Sequence, residues 1–349
     1  MAEKTTTEGE PVERIPLNTW AIAFGLAGLA KVWSTAAPAF GLAPAVAQTF
    51  WVFAAVAWLT LLAAHVVRGR RSTTTLIAQL RHPAQGPLAA IVPVSAILLG
   101  ADLASWSLTA GRIVVLAGIA VAALFAGWLI STWLEGRLQL EAIHGGYLIP
   151  TVAAGFVASA AAERVGFDAL AWACFGVGAV FWAVMMTLVL LRLTVAPALP
   201  NPLVPTMAIL LAPPAVAGIA WLALHHSRID GAADVLAGIT GLMLLLQLAL
   251  TARYLRAGFS LGAWSFTFPL AAAVGYAIEF TADDSGAIHM LVTAIGLIVV
   301  TALVALVSVL SVRASRLPTR GGVTPVAALA LADDEDLVSP VVHSTIERR

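Results

Sequence analysis

Charged side chains are scarce in this sequence. Lys, Arg, Asp and Glu make up 11% of the 349 residues, against roughly 25% in ordinary soluble domains, while hydrophobic residues make up 60%. A water-soluble protein cannot bury so large an apolar fraction and still cover its surface with so few charges. This composition excludes a soluble globular protein and indicates a chain embedded in lipid. The formal net charge is zero, so it indicates no nucleic-acid partner.

Cysteine is also nearly absent, and so are the patterns of catalytic sites. The single Cys174 excludes an internal disulfide and any site with several thiolates, and we interpret it as a small buried side chain. His225, His226 and Asp230 lie close together in the sequence, but a third firm metal ligand is missing. No apolar segment holds facing histidines for haem, and no Ser-His-Asp or phosphate-loop pattern occurs. The sequence therefore predicts no enzyme, no metal site and no cofactor.

Long apolar runs dominate what remains. A membrane-crossing helix needs about 20 mostly apolar residues. Ten segments meet this length, at 18–37, 44–67, 87–108, 113–133, 146–163, 169–191, 203–225, 234–252, 261–281 and 287–312. The short connections leave no room for a soluble domain. We therefore predict an all-α integral membrane protein with a ten-helix transmembrane domain at 18–313.

Two polar segments flank this domain. Residues 1–17 are polar and acidic and lack the basic start and the cleavage site of a signal peptide, so we predict a retained cytoplasmic segment. Residues 314–349 carry the acidic run Asp333-Asp334-Glu335-Asp336. We predict a flexible cytoplasmic tail there, with binding to a partner as the alternative.

Basic residues divide unequally between the two sides of the membrane. With a cytoplasmic N-terminus, cytoplasmic segments hold 15 of the 19 Lys and Arg residues, the opposite side holds three, and Lys31 lies within span 1. Positive residues concentrate on the cytoplasmic side of membrane proteins. We therefore predict that both termini lie in the cytoplasm and that the protein resides in the plasma or inner cell membrane.

Prolines and charges occur within the odd-numbered spans. An interior proline removes a helix hydrogen bond and bends the helix, and the carbonyl group it leaves must find protein or water. The even spans have no interior proline. The deep prolines lie in spans 3, 5, 7 and 9 and are Pro93, Pro150, Pro213, Pro214 and Pro269.

The interior charges are Lys31, Asp102 and Glu279, in spans 1, 3 and 9. Bent, charged helices are costly against lipid and tolerated beside water. We therefore predict five helical hairpins in a quasi-five-fold ring, with the odd helices lining a central pore. The alternative is that prolines are simply commoner in membrane helices.

Three stretches resemble the tellurite-resistance/dicarboxylate transporter family, which includes the bacterial tellurite-resistance proteins and the plant slow anion channels. They are Tyr147–Ala154 in span 5, Met207–Pro213 in span 7 and Leu261–Pro269 in span 9. Together with the ten spans, the resemblance covers roughly residues 16–315. Span 1 departs from the family, because Ala23-Phe24-Gly25 stands where relatives often have a proline.

The resemblance implies a homotrimer in which each subunit has its own pore. It also implies passage of small anions such as chloride, nitrate, sulfite or malate, and tellurite resistance in some bacteria. In the channel-like members a phenylalanine of span 9 blocks the pore, and Phe268 matches it by position. A ring at a narrow point can gate by steric block and dewetting. Phe266 points about 200° away around the helix, and we expect it to pack between helices.

The remaining candidates each have two readings. Lys31 either extends to the lipid headgroups or adds positive potential at the pore mouth. Asp102 and Glu279 lie at similar depths, so pairing with Lys31 or protonation is expected of them. His144 is either a titrating entrance group or an ordinary loop histidine. Gly25 and Gly28 favour close helix packing, with direct pore lining as the alternative.

An anion channel needs few fixed polar groups, because an ion that must leave quickly should not be held tightly. The alternative is a proton-coupled transporter or exporter of C4-dicarboxylates such as malate, or of oxyanions, in which Asp102 or Glu279 titrates. No arginine lies within a predicted span, which disfavours tight dicarboxylate binding. The sequence thus favours a channel for small anions.

Overall fold

The computed structural model describes residues 13–282 and 286–316, and in this part of the chain all regular structure is helical. Most of the predicted N-terminal segment and of the tail, including the acidic run, lies outside the described residues. The α-helices are α1 (Ala21–Ala36), α2 (Pro44–Arg71), α3 (Leu76–Arg81), α4 (Ile91–Leu103), α5 (Leu108–Thr132), α6 (Ala154–Arg164), α7 (Asp168–Val195), α8 (Ala212–Leu224), α9 (Gly231–Ala249), α10 (Thr251–Ala257), α11 (Thr267–Phe280) and α12 (Ala287–Arg316).

Ten helical stretches within the described residues are long and apolar enough to cross a membrane, as predicted. They are Leu17–Phe40, Pro44–Arg71, Gly86–Leu103, Leu108–Gly136, Gly145–Arg164, Asp168–Val195, Asn201–Leu224, Gly231–Ala249, Leu261–Phe280 and Ala287–Arg316. Most predicted boundaries agree within a few residues, so the prediction of ten transmembrane helices is confirmed.

The turn between spans 3 and 4 lies about five residues earlier in the structure than the sequence predicts. Span 3 ends at Leu103 and span 4 begins at Leu108, because the Ser107 side chain accepts a hydrogen bond from the Ala110 amide and caps α5. Serine is a preferred residue at this position because its oxygen satisfies an amide that has no partner in the first turn. Arg112, predicted in the connection, therefore lies in the first turns of α5.

The odd spans form the buried part of the molecule. Between 56% and 94% of the most apolar stretch of each odd span is buried, against 11% to 33% for the even spans. The odd spans also pack against one another: α1 contacts α4 and α11, α6 contacts α4 and α8, and α8 contacts α11. Each odd span packs on the even span that follows it. The odd spans are thus mostly buried, and the even spans present large apolar surfaces to the outside.

Each odd span begins as a 3-10 or π segment and continues as an α-helix. In span 7 the 3-10 segment runs over Asn201–Leu211 before α8 begins. The five deep prolines do not interrupt α-helices midway. They lie at the change from 3-10 or π to α geometry, in the first turn of α4, α8 and α11 and in the π segment before α6, and each removes one backbone donor there. Span 1, which has no proline at 23–25, continues as unbroken α1 through these residues.

Candidate functional site

A cavity of about 560 Å³ lies among the C-terminal halves of the odd spans. All five odd spans contribute to its wall, and α2 adds Trp51, whose indole donates a hydrogen bond to Ser34. The odd spans supply its charged and apolar lining, including Lys31 from α1, Asp102 from α4, Glu163 and Arg164 from α6, Ile219 from α8 and Glu279 from α11. We call this space the large cavity.

The three charged residues singled out in the sequence all line the large cavity. Lys31 Nζ lies 3.0 Å from Glu279 Oε1, so these two form an ion pair across α1 and α11. Asp102 is not paired with Lys31. Its Oδ1 accepts a hydrogen bond of 3.2 Å from Gln48 Nε2 of α2. The lysine side chain is 43% exposed, so the pair is in reach of water and adds little to stability.

Two further charges in the cavity wall, Glu163 and Arg164, lie at the end of span 5. The sequence predicts Glu163 as the last residue of this span and Arg164 in the connection that follows it. The structure extends span 5 to Arg164, and the Arg164 Nε donates a 2.7 Å hydrogen bond to the Ala101 carbonyl of α4. Glu163 Oε1 lies 4.0 Å from His226 Nδ1. The prediction that no span contains an arginine is wrong, because spans 2, 4, 5, 6 and 10 include arginines near their ends. Of these arginines, Arg164 of span 5 lines the large cavity. Counting hydrophobic residues alone could not find this, because the charges end the apolar run.

A second cavity of about 30 Å³ lies among the N-terminal halves of the same spans. All five odd spans line it, with almost no polar surface beyond Asn18 and Ser265. Its volume is close to that of a single water molecule. We call this space the small cavity.

Phe268 is the residue that lines both cavities within the described part of the chain. It is the second residue of α11, immediately before Pro269, and only 6% of it is exposed. Its ring stacks on Phe24 of α1, with 3.6 Å between the ring centroids and 16° between the ring planes. Phe24, which the sequence analysis did not propose as a site residue, lines the small cavity. Phe266 contacts Tyr254 edge to face, away from both cavities.

The five deep prolines are all buried. Pro269 lines the small cavity, whereas Pro93, Pro150, Pro213 and Pro214 line neither cavity in the described structure. These four prolines lie instead where 3-10 or π geometry changes to α geometry.

His144 is a buried structural residue and lines neither cavity. Its Nε2 is 3.0 Å from the Ala84 carbonyl, and its Nδ1 accepts a hydrogen bond from the Gly146 amide. Nε2 therefore carries the proton. Burial lowers the pKa of His144 to about 4, so it does not titrate near neutral pH as an entrance group would.

Residues 225–230 form the connection between α8 and α9. Asp230 accepts hydrogen bonds from the Ala232 and Ala233 amides and from the Trp221 indole, which hold the pKa of its carboxyl below the usual range. The His225 ring stacks on Trp221 at 4.0 Å. Among the described residues, no three His, Cys, Asp or Glu side chains come together as a metal site.

Comparison with known proteins gives matches over most of the chain. The family model described as "Voltage-dependent anion channel" matches residues 14–313. A tellurite resistance protein TehA homolog from Haemophilus influenzae is 26% identical over 267 residues, which are 76% of this chain and 81% of that protein. The guard cell S-type anion channel SLAC1 from Arabidopsis thaliana is 31% identical over 154 residues, which are 42% of this chain and 27% of that protein.

Proposed function

Because this chain belongs to the voltage-dependent anion channel family, we propose that it passes small anions across a cell membrane through a pore among its odd spans, closed by Phe268. The observation that carries the proposal is the position of Phe268 between two cavities to which all five odd spans contribute. The proposed pore runs through both cavities, with the odd spans in a quasi-five-fold ring around it.

The chemistry of the two cavities suits brief passage of an ion. The small cavity offers an ion few polar partners, so no ion is held tightly there, and a closed aromatic constriction excludes water and ions by dewetting. The large cavity holds two basic residues, Lys31 and Arg164, beside the carboxylates of Asp102, Glu163 and Glu279. An anion there has basic partners but meets no net positive charge, so it is not held tightly. Chloride-like and nitrate-like anions fit this proposal. The name of the tellurite-resistance relative adds tellurite, and the family resemblance adds sulfite.

The proposal extends to the setting of the pore. We place the protein in the plasma or inner membrane with both termini in the cytoplasm, supported by the distribution of Lys and Arg over the connections. We also expect a homotrimer with one pore in each subunit, as the family resemblance implies.

Replacing the proposed gate tests this function directly. In liposomes that contain the purified protein, we expect Phe268→Ala to raise the chloride or nitrate current by about tenfold or more, because removing the ring opens and wets the constriction. The measurement is the anion current under a fixed gradient at equal protein content.

Phe266→Ala is the matched control, because Phe266 lies two residues away and packs on Tyr254 outside both cavities. Its current should equal that of the unchanged protein. Equal currents for Phe268→Ala and the unchanged protein would contradict the gate assignment, and the absence of anion current in every variant would contradict the channel.

A proton-coupled transporter of dicarboxylates or oxyanions is the second candidate. Three carboxylates, Asp102, Glu163 and Glu279, line the large cavity beside Arg164. In such a transporter the carboxylates would carry the proton, and the arginine would bind the carboxylate or oxyanion of the substrate. Reversal potentials with asymmetric chloride, nitrate and malate at several pH values separate the two. A channel gives a potential set by the anion gradient alone, whereas a coupled transporter follows the proton gradient as well.

A further inference from the structure

The ring of Phe268 lies against a second ring on one side. Phe24, in the first turn of α1, has the same 6% exposure as Phe268, and the two rings are nearly parallel at a centroid distance of 3.6 Å. Stacked aromatic pairs are stabilised beyond the burial of their surfaces. Phe268 therefore has a specific partner in the conformation that the structure shows.

The helix backbones around this pair are also in close contact. A Cβ atom added at Gly28 of α1 would lie 3.2 Å from Phe268 Cδ2 and 3.5 Å from Phe268 Cα. Gly28 thus provides the space in which α1 approaches the Phe268 side chain. With Phe24 on its face and the α1 backbone beside it, the Phe268 ring has little freedom to move toward α1.

The two cavities differ in the space they offer to a moving ring. The small cavity, which Phe24 and Phe268 both line, measures about 30 Å³ and has room for little more than one water molecule. The large cavity measures about 560 Å³ and meets the Phe268 side chain directly. Of these two cavities, the large one therefore offers the room for a phenyl ring that leaves its stacked position.

From this geometry we propose that Phe24 is the positioning residue of the gate: its ring holds Phe268 in the closed conformation, and opening consists of unstacking the pair as Phe268 swings into the large cavity. This inference rests on the proposed function, because it assigns a role to Phe24 only if Phe268 closes an anion pore. It adds a positioning residue of the gate on span 1.

The test replaces the stack while keeping an apolar side chain. Phe24→Leu retains apolar volume but cannot stack, so we expect the open probability in single-channel recordings from planar bilayers to rise about two- to tenfold, the range that corresponds to the loss of one aromatic pair. The current through each open channel should not change, because the Phe268 ring has left the pathway in the open state. Phe24→Tyr keeps the stacked ring and should restore the open probability of the unchanged protein.

A double variant shows whether the two rings act as one unit. In the Phe268→Ala background the partner ring is gone, so adding Phe24→Leu should produce no further increase in open probability. Multiplying effects would mean that Phe24 is a separate barrier and would overturn the proposal. Phe266→Leu is the control for the loss of an aromatic ring near the gate but outside the stack.

The remaining outcomes separate this inference from the proposed function. An unchanged open probability in Phe24→Leu, with a raised one in Phe268→Ala, would overturn the role of Phe24 and leave the anion pore in place. Anion current in none of the variants would contradict the pore itself. If Phe24→Leu does not fold, Phe24→Tyr and Phe24→Trp replace it as the test. Open probabilities equal to that of the unchanged protein support a role for the stacked ring. Open probabilities above that of the unchanged protein in both variants overturn this role.

Discussion

His144 illustrates how single buried polar residues fix the connections that precede the odd spans. Its two ring nitrogens hold the Ala84 carbonyl and the Gly146 amide, and Tyr147 donates a hydrogen bond to the Pro83 carbonyl nearby. These contacts join the start of span 5 to the segment before span 3. A proton on Nδ1 would face the Gly146 amide and break its hydrogen bond, which, together with burial, favours the neutral ring.

Stability should therefore depend on pH through His144. Because the folded pKa is about 4 and the ordinary value about 6.5, the unfolded chain binds more protons between these values. Stability is then full above pH 6.5 and falls as the pH drops toward 4, by about 3 kcal/mol in total. Thermal unfolding in detergent between pH 7 and pH 4.5 measures this loss.

His144→Asn should flatten that pH dependence, since no imidazole remains to titrate at this position. The same pH dependence in His144→Asn and in the unchanged protein would show that another group is responsible.

At the scale of elements, the contact between α1 and α11 depends on two glycines of α1. A Cβ atom at Gly25 would lie 2.8 Å from Thr267 Cβ, and one at Gly28 would lie 3.0 Å from Ala271 Cβ. Both residues therefore face α11 and allow the helices to approach closely, as small residues do in membrane proteins. Close packing at both glycines, as predicted from the sequence, is confirmed. Gly28 also lines the large cavity.

Gly25→Ala should destabilise the protein by about 1–3 kcal/mol, because the added methyl group meets Thr267 and forces the two helices apart. The measurement is the midpoint of thermal unfolding in detergent. Gly127 of α5 is the control: it has nothing within 4 Å of an added Cβ, so Gly127→Ala should leave stability unchanged or raise it slightly. An unfolding midpoint equal to that of the unchanged protein for Gly25→Ala would contradict this packing.

Sequence patterns identified the elements better than the contacts between them. Length and hydropathy predicted ten spans because each must cross the same apolar layer. Proline and charge set the odd spans apart as pore-lining helices, and the structure shows that the odd spans are the more buried set. The stack of Phe24 on Phe268 could not be predicted in this way, since it joins residues 244 positions apart whose neighbours fit ordinary helix packing. Arg164 was missed for a different reason: it ends an apolar run, and only the fold shows that the end of α6 reaches the large cavity.

At the scale of the whole molecule, the odd spans are mostly buried and the even spans present apolar surfaces to the outside. Exposed large hydrophobic side chains follow the even spans, for example Leu124 at 75% and Val180 at 64%, which suits contact with lipid. The connections between spans then alternate between the two sides of the membrane. On one of these sides, two arginines connect neighbouring spans through hydrogen bonds. Arg112 Nε donates to the Val165 carbonyl, and Arg164 Nε donates to the Ala101 carbonyl.

This alternation makes the orientation testable with single cysteines. In a Cys174→Ala background, Thr73→Cys reports the connection between α2 and α3, and Thr109→Cys reports the start of α5; both threonines are exposed. If both termini lie in the cytoplasm, a membrane-impermeant maleimide should label Thr109→Cys in intact cells, and Thr73→Cys only after permeabilisation. The reverse pattern would contradict the orientation derived from the basic residues.

The 3-10 segments at the start of the odd spans have a consequence for bilayer thickness. A 3-10 segment rises about 2.0 Å per residue and an α-helix about 1.5 Å, so the five 3-10 and thirteen α residues of Gly86–Leu103 extend about 30 Å. That equals the hydrocarbon thickness of a typical membrane with no residue to spare, whereas the 28 residues of Pro44–Arg71 extend about 42 Å and can tilt. A thicker bilayer would therefore strain the inner spans first, while the outer helices adjust to it.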